Sequence, residues 1–417
     1  MNSYITLLRC RPYFRNLWLA SVVSLLGDWF NTIATVILVS RYTNTGLAVS
    51  GLFLARTLPQ FLFGPVAGVV ADRFNRKLVM VISDIMRAGI VLSFLWVDRP
   101  ERVWLIYLLT ALQLTISTFF NPASSALLPS LVEGDKELLT SNVLSSITWS
   151  AMLAIGAALG GGFSAIFGVR AALIVDAITF LVSALLVSQI YLEPLPEGET
   201  QPEPTSGWAD FIAGLRYLWQ HKDTLMLTTV KALGQIGASD IIITVYAERL
   251  FSLGREGAGT LGLLYAAAGV GAVLGPVIGN RIGDGSQSAL KRAIQIGFIL
   301  MPLGWLLVGW APTLLVVAVG FLLRAIGGSV NWTYSSVLIQ MQTPDKYLGR
   351  VFSFDMGFFT LGLSISLWLS GQMLDSFQLD PRTLTLYFSL AGIVPVAIWF
   401  ISQRLLAKQN TPVTTSP

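Results

Sequence analysis

The 417-residue chain predicts an all-α membrane protein, with twelve transmembrane helices in two six-helix parallel pseudo-repeats. Three observations carry the prediction. The residues are 54% hydrophobic and only 12% charged, with a mean hydropathy of +0.68, whereas a water-soluble chain of this length needs far more polar surface to cover its core. Apolar stretches of roughly 20 residues, enough to cross about 30 Å of hydrocarbon, recur along the whole chain between short charged or Gly/Pro breaks. A shift of 210 to 212 positions brings the first half onto the second. Gly64-Pro65-Val66-Ala67-Gly68 falls on Gly275-Pro276-Val277-Ile278-Gly279, Asn121, Ser125 and Leu128 on Asn331, Ser335 and Leu338, and Asp28 on Asp240.

The spans are expected at 17–40, 50–70, 78–97, 103–125, 142–167, 171–192, 224–248, 257–280, 293–311, 313–338, 351–374 and 384–404. The first follows Arg9, Arg11 and Arg15 and lacks a small-residue cleavage site, so it reads as a retained helix and not a signal peptide. Residues 193–207, EPLPEGETQPEPTSG, hold four glutamates and four prolines, a composition that resists compact packing. Beyond them Trp208, Phe211, Ile212, Leu215, Leu218 and Trp219 recur at helical spacing, as in a helix lying in the membrane interface. The domains are therefore a six-helix bundle over 1–192, a cytoplasmic linker with an interfacial helix over 193–223, and a second bundle with its tail over 224–417.

Most of the 27 Lys and Arg residues fall on the side of the N-terminus, among them Arg73, Arg76, Lys77, Arg281, Lys291 and Arg292. The positive-inside rule then puts both termini in the cytoplasm, as an even number of spans requires, in a multi-pass protein of the plasma (inner) membrane. These cations account for the net charge of +4, which is no argument for nucleic acid. The single cysteine, Cys10, excludes an intramolecular disulfide. No Gly-x-x-x-x-Gly-Lys-Ser/Thr loop is present for nucleotide phosphates. The one histidine, His221, lies before the seventh span, away from membrane depth. Neither a metal site, a cofactor nor an enzymatic activity is expected. A monomer of twelve unequal helices does not suggest a channel's ring of filter groups.

The stretch GVVADRFNRK, residues 68–77, resembles the signature Gly-x-x-x-Asp-Arg-x-Gly-Arg-Lys between the second and third helices of the major facilitator superfamily. Gly68, Asp72, Arg73, Arg76 and Lys77 are in place, while Asn75 stands where the pattern has glycine, a residue that tolerates the left-handed conformation better than most. The resemblance covers essentially the whole chain. LLGDWF, ARTLPQFLFGPVAGVVADR, NPASSALLPSLV and QMQTPDKYLGRVFS are most similar to the branch of enterobactin and macrolide-efflux exporters. AIGAALGGGF resembles the superfamily's antiporter motif through Gly156, Gly160 and Gly161, with Ala157 in place of proline; close helix packing explains the same glycines.

The resemblance implies a gate in which Asp72 caps the inner end of the eleventh helix near Gly349 and Arg350, where the helix dipole favours an anion. Gly68, Arg73, Arg76, Lys77 and Asp355 join it, with Asp355 paired to Arg73 or Arg76. It also implies a cavity lined by helices 1, 4, 7 and 10, with Gln113, Asn121, Arg324, Asn331, Trp332 and Tyr334 among its contacts.

Charges inside spans are costly and need partners. Asp84 and Arg87 are three apart and pair on their own helix. Lys231 and Arg324 are expected to meet an anionic substrate, and Asp176 has no assigned role. Asp28 lies roughly 18 Å from the inner end of its span at 1.5 Å per residue, near the midplane. Arg56, about 9 Å from the outer end of the second span, is its expected partner. Together with Asp240 they are the expected proton-coupling groups.

The expected function is a secondary active transporter working by alternating access. Its partners are protons, the lipid bilayer and a small-molecule substrate, amphipathic and either drug-like or siderophore-like, exported by proton coupling. A lipid or lysolipid flippase and a non-transporting membrane sensor or scaffold are the alternatives.

Overall fold

The computed structural model describes residues 2–43, 45–191, 207–237, 239–282 and 286–409. The helices are α1 (Asn2–Cys10), α2 (Pro12–Thr43), α3 (Gly46–Arg73), α4 (Arg76–Ser93), α5 (Trp104–Leu127), α6 (Gly134–Phe167), α7 (Val169–Ser188), α8 (Gly207–Gln220), α9 (Lys222–Leu233), α10 (Ser239–Val245), α11 (Ala258–Ile282), α12 (Gln287–Trp310), α13 (Leu314–Gln342), α14 (Asp345–Asp375), α15 (Pro381–Ala391) and α16 (Ile393–Gln409). No strand occurs among the described residues. Among the described residues, eleven helical segments are long and apolar enough to cross a membrane. The fold is that of an all-α, multi-pass membrane protein.

The twelfth apolar segment, the expected span over 224–248, is not one helix. It is broken into α9 and α10, with non-helical backbone around Gly237, whose φ of +81° belongs to the region that glycine enters without strain. Broken backbone inside lipid must find partners within the protein. The carbonyl of Ile236 accepts from the Trp305 indole at 3.2 Å, and that of Gly237 accepts from Arg324 at 3.1 Å.

Local signals fix several helix ends. Pro12 opens α2, where its missing N–H costs nothing. Thr45 caps α3 by accepting from the Ala48 amide. Asn75, expected to supply a left-handed turn, instead has φ −60° and ψ 108° and caps α4 by accepting from the Leu78 amide. An extended N-cap needs a side-chain acceptor and no positive φ, which glycine at this position would not supply.

The chain packs as two units. The first comprises Met1–Leu195, Ser239–Val270 and Leu367–Leu379, and the second Pro196–Ala238, Gly271–Ser366 and Asp380–Pro417. In the first, α2 packs against α6 and α7, α4 against α5 and α7, and α3 against α5. Leu7, Phe14, Leu17, Met80, Phe120, Leu127 and Val187 form one of its cores. Ile82, Ile85 and Met86 on α4, and Ile174, Ile178 and Leu185 on α7, stay exposed at helical spacing, the reverse of a soluble protein and the surface a lipid solvent accepts.

The residues 239–270 and 367–379 join the first unit through specific contacts at the ends of helices. Asp375 accepts from the Gly46 and Leu47 amides at 2.9 and 2.6 Å, and Ser50 donates to the Leu367 carbonyl at 2.9 Å. Arg41 grips Glu256 through two bonds of 2.7 Å. Gly161 and Gly262 face each other closely enough that a Cβ on Gly161 would lie 2.5 Å from the Gly262 Cα. Small surfaces let helix backbones approach in this way.

In the second unit α12 packs against α13, α15 and α16, and α9 against α13. Its core includes Leu227, Phe298, Tyr334, Leu338 and Trp399. The expected interfacial helix is α8: Tyr217 and Leu218 enter this core, while Ile212, Leu215 and Trp219 remain exposed, with Trp219 at 70%. Such an apolar remainder suits the headgroup region.

Candidate functional site

Two groups of charged side chains lie within the spans, one in each unit. The first is built on α2, α4 and α7. Arg87 donates to Asp28 at 2.7 Å and lies 3.5 Å from Asp84, one turn earlier on α4. Its guanidinium sits 3.8 Å above the Phe180 ring. Ser183 completes the arrangement with a 2.5 Å bond to Asp84. Arg87 and Asp84 are sealed, whereas the Asp28 side chain keeps 33% of its surface exposed. A planar guanidinium can serve two carboxylates and a ring face together, which an ammonium cannot.

The expected Asp28–Arg56 pair does not form. Arg56 donates to the Thr32 hydroxyl at 2.7 Å, and that hydroxyl donates to the Asp28 carbonyl at 2.6 Å. The Arg56 Nη1 is buried with no hydrogen-bond partner. Helix neighbours explain the difference: α2 and α4 both pack on α7, which brings Arg87 to Asp28, while Arg56 of α3 meets α2 one turn further along, at Thr32. The local Asp84–Arg87 pair is present, but Arg87 also spans to a second helix.

Asp240, at the start of α10, accepts from the Tyr265 hydroxyl at 2.9 Å. The Tyr265 ring lies 5.2 Å from that of Trp29. Asp28, Asp176 and Asp240 all lie within electrostatic range of Arg56. Asp176 is fully buried beside Gly27, with Thr179 at 3.5 Å from one oxygen and no hydrogen-bond partner for the other. Trp29 packs against Gly156 and Gly160. The glycine run of α6 therefore serves close packing.

The second group corrects two further expectations. Lys231 of α9 pairs with Asp355 of α14, both fully buried, and lies 4.5 Å over the Trp332 ring. Asp355 is thus already paired within the second unit, and Lys231 does not need an anionic substrate. Arg324 donates to Gly237 and stacks 4.7 Å over Trp305. There it donates to the Gly237 carbonyl left without a helical partner by the break.

The surroundings of Gly68 and the side chains of Asp72 and Arg73 are outside what the structure describes. Arg76 donates to the Ala126 carbonyl at 2.9 Å, Lys77 is half-buried, and Arg350 lies 5.6 Å from the Tyr347 ring. Among the residues expected to line a cavity, Gln113 is buried with Oε1 unpartnered, while Asn121 is exposed. Asn331 is buried against the Met301 sulfur at 3.7 Å, Tyr334 is buried and donates to Pro276 at 3.3 Å, and Trp332 is 40% exposed. Sequence reasoning missed Trp29, Thr32, Ser183 and Tyr265. Only Thr32, one turn from Asp28, carried a spacing signal. Among the described residues no group of three His, Cys, Asp or Glu side chains is arranged to hold a metal ion.

Comparison with known proteins gives a consistent result. The family described as Major Facilitator Superfamily matches residues 17–289. The MFS-type transporter YfiS of Bacillus subtilis strain 168 is 30% identical, over 82% of this chain and 83% of its own. Macrolide efflux protein A of Streptococcus pyogenes is 24% identical, over 92% of this chain and 94% of its own. Among solved structures, a bacterial homologue of the human lysosomal transporter Spinster, inward-facing and unoccupied, superimposes with a TM-score of 0.74 at 14% identity, covering 97% of this chain and 100% of that one.

Proposed function

The chain belongs to the Major Facilitator Superfamily, and on that premise we propose that it is a secondary active transporter that exports an amphipathic small molecule in exchange for protons by alternating access. The observation that carries this reading is the half-accessible Asp28, bonded to the sealed Arg87–Asp84 pair. A carboxylate at mid-span with one face open can take up and release a proton, while its bond to Arg87 gives two states of different charge balance. A scaffold has no energetic reason to keep such costly groups. Asp240, with its Tyr265 hydrogen bond, is the second proton-coupling group, and Arg56 tunes both through its field.

Gly68, Asp72, Arg73, Arg76, Lys77 and Arg350 form the gate, in which Asp72 caps α14. In this reading the termini are cytoplasmic, the membrane is the plasma (inner) membrane and the protein works as a monomer. Of the residues expected to contact substrate, Gln113, Asn121, Arg324, Asn331, Trp332 and Tyr334, the exposed Asn121 and Trp332 are the ones open to it.

The test is uptake of a labelled macrolide into inverted membrane vesicles under an imposed pH gradient. Uptake that collapses with the gradient is expected; gradient-independent accumulation by the wild type contradicts proton coupling. For the gate, Asp72→Asn is expected to insert normally and transport poorly. Normal transport by Asp72→Asn alongside failure of Arg76→Ala would remove the capping role.

A further inference from the structure

Cations at the end of the first unit remote from the N-terminus need a reason other than the positive-inside rule, which collects them at the opposite surface. Three gather where α6 turns into α7. Arg41 and Arg170 line a pocket of about 230 Å³ beside the end of α2. Arg255 lies over the turn, its Nη1 3.9 Å from where a Cβ on Gly168 would stand. Glu256 accepts two bonds from Arg41. The neighbouring stretch 98–102 is neutral in sum, with Asp98 held by Arg99 and Arg102. Arg170 and Arg255 are exposed, and among the described residues no carboxylate pairs with either. Three guanidinium groups thus stand against one carboxylate.

The rest of the pocket is largely apolar. Phe94 and Leu173 are buried walls, Tyr42 is half-buried, and Phe167 is 61% exposed. The volume falls below the ~300–1,000 Å³ of a drug-sized site, so the pocket takes a headgroup and not a whole macrolide. Trp96, exposed and next to the lining residue Leu95, marks this level as the headgroup region, where tryptophans collect. On α7, Ile174, Ile178 and Leu181 stay exposed on the same stripe as Arg170. Along the helix axis they lie roughly 6, 12 and 16 Å from Arg170, about the depth of one leaflet. A cation heading a lipid-facing apolar stripe matches a molecule with an anionic head and an acyl tail.

We propose that Arg41 and Arg170, with Arg255 beside them, bind the phosphate of an anionic phospholipid whose acyl chain lies along α7. The planar fork of arginine offers a phosphate two parallel bonds, and Glu256 already holds Arg41 in place. A zwitterionic lipid carries the same phosphate but brings its own cation into the field of the three arginines, so it is held less tightly. The site is separate from the Asp28–Arg87–Asp84 group and does not rest on the transport reading.

The experiment titrates the purified full chain in neutral detergent with phosphatidylglycerol or phosphatidylcholine and counts bound lipid by native mass spectrometry, with glycerol phosphate as the competitor. The wild type is expected to retain phosphatidylglycerol saturably and more tightly than phosphatidylcholine, and glycerol phosphate at equal concentration is expected not to displace it. Arg170→Gln is expected to weaken phosphatidylglycerol binding about fivefold, the worth of one cation toward an anionic lipid. Arg102→Gln, at the same end of the bundle but already paired with Asp98, is expected to bind as the wild type does. Equal retention of the two lipids, unchanged binding by Arg170→Gln, or an equal loss in Arg102→Gln would each overturn the proposal. Displacement by glycerol phosphate would overturn the lipid as occupant and assign the arginines to a free phosphate ester.

Discussion

Arg87 reaches from α4 to Asp28 on α2 at 2.7 Å, while Arg56 stops at Thr32, one turn away. The arginine that neutralises the mid-span acid is therefore the one on α4, which shares α7 as a packing partner with α2. Arg87→Gln would leave Asp28 and Asp84 without their cation, and a buried pair broken from one side loses about 3–5 kcal/mol. The double variant Asp28→Asn/Arg87→Gln is expected to melt above Arg87→Gln alone in detergent. A double variant that melts no higher would show that the two residues are not energetically coupled.

The Lys231–Asp355 pair behaves in the same way within the second unit. Both side chains are fully buried, and Trp332 covers the ammonium. Lys231→Met alone is expected to destabilise by about 3–5 kcal/mol because it strands Asp355. Lys231→Met/Asp355→Leu is expected to melt close to wild type, since two apolar groups need no partner. If the single and double variants melt together, the pair is not a coupled unit.

Asp375 holds the first two amides of α3, at 2.9 and 2.6 Å. Asp375→Ala is expected to lose about 1 kcal/mol, the usual worth of an N-terminal cap. Hydrogen exchange should quicken in peptides covering 46–52 and stay unchanged in α4. Unaltered exchange at 46–52 would mean that Thr45 alone suffices as the cap.

Outside the spans, Arg11 donates to Glu133 at 2.6 Å and to Glu137 at 2.9 Å. These bonds hold both carboxyls below their ordinary value of 4.5. A carboxyl lowered in the folded state contributes stability that is present above 4.5 and is lost as the pH falls through the folded value. The contact between the start of α2 and the start of α6 should therefore loosen only in acid below pH 4.5. Cys10, exposed beside Arg11, can carry a fluorophore that reports on this contact in the wild type and in a Glu133→Gln/Glu137→Gln variant. The wild type should show an acid transition that the variant lacks; the same transition in both would assign it elsewhere.

The fold was largely legible because lipid imposes its requirements on composition: every span except the seventh appears as one apolar run. The break in the seventh gave no signal because Gly234 and Gly237 sit in a run whose average hydropathy conceals them, and the carbonyls freed there are satisfied by Trp305 and Arg324 from distant sequence. The candidate site was legible in its members, since Asp28, Asp84, Arg87, Asp240, Lys231 and Asp355 are conspicuous in apolar surroundings. Their pairing was not, because it depends on which helices are neighbours. α2 and α4 both pack on α7, which brings Asp28 to Arg87. Trp29 and Tyr265 gave no signal, as aromatic residues in an apolar span are ordinary packing.

Coupling of proton movement to export through Asp28 is tested most directly by comparing two modes of macrolide transport in inverted vesicles. Uptake under an imposed pH gradient requires proton exchange, whereas counterflow of labelled against unlabelled macrolide at equal pH requires only alternation of the site. Asp28→Asn is predicted to abolish gradient-driven uptake and to retain counterflow, with Asp240→Asn affected less. Gradient-driven uptake by Asp28→Asn at the wild-type rate would contradict the coupling role of this carboxylate.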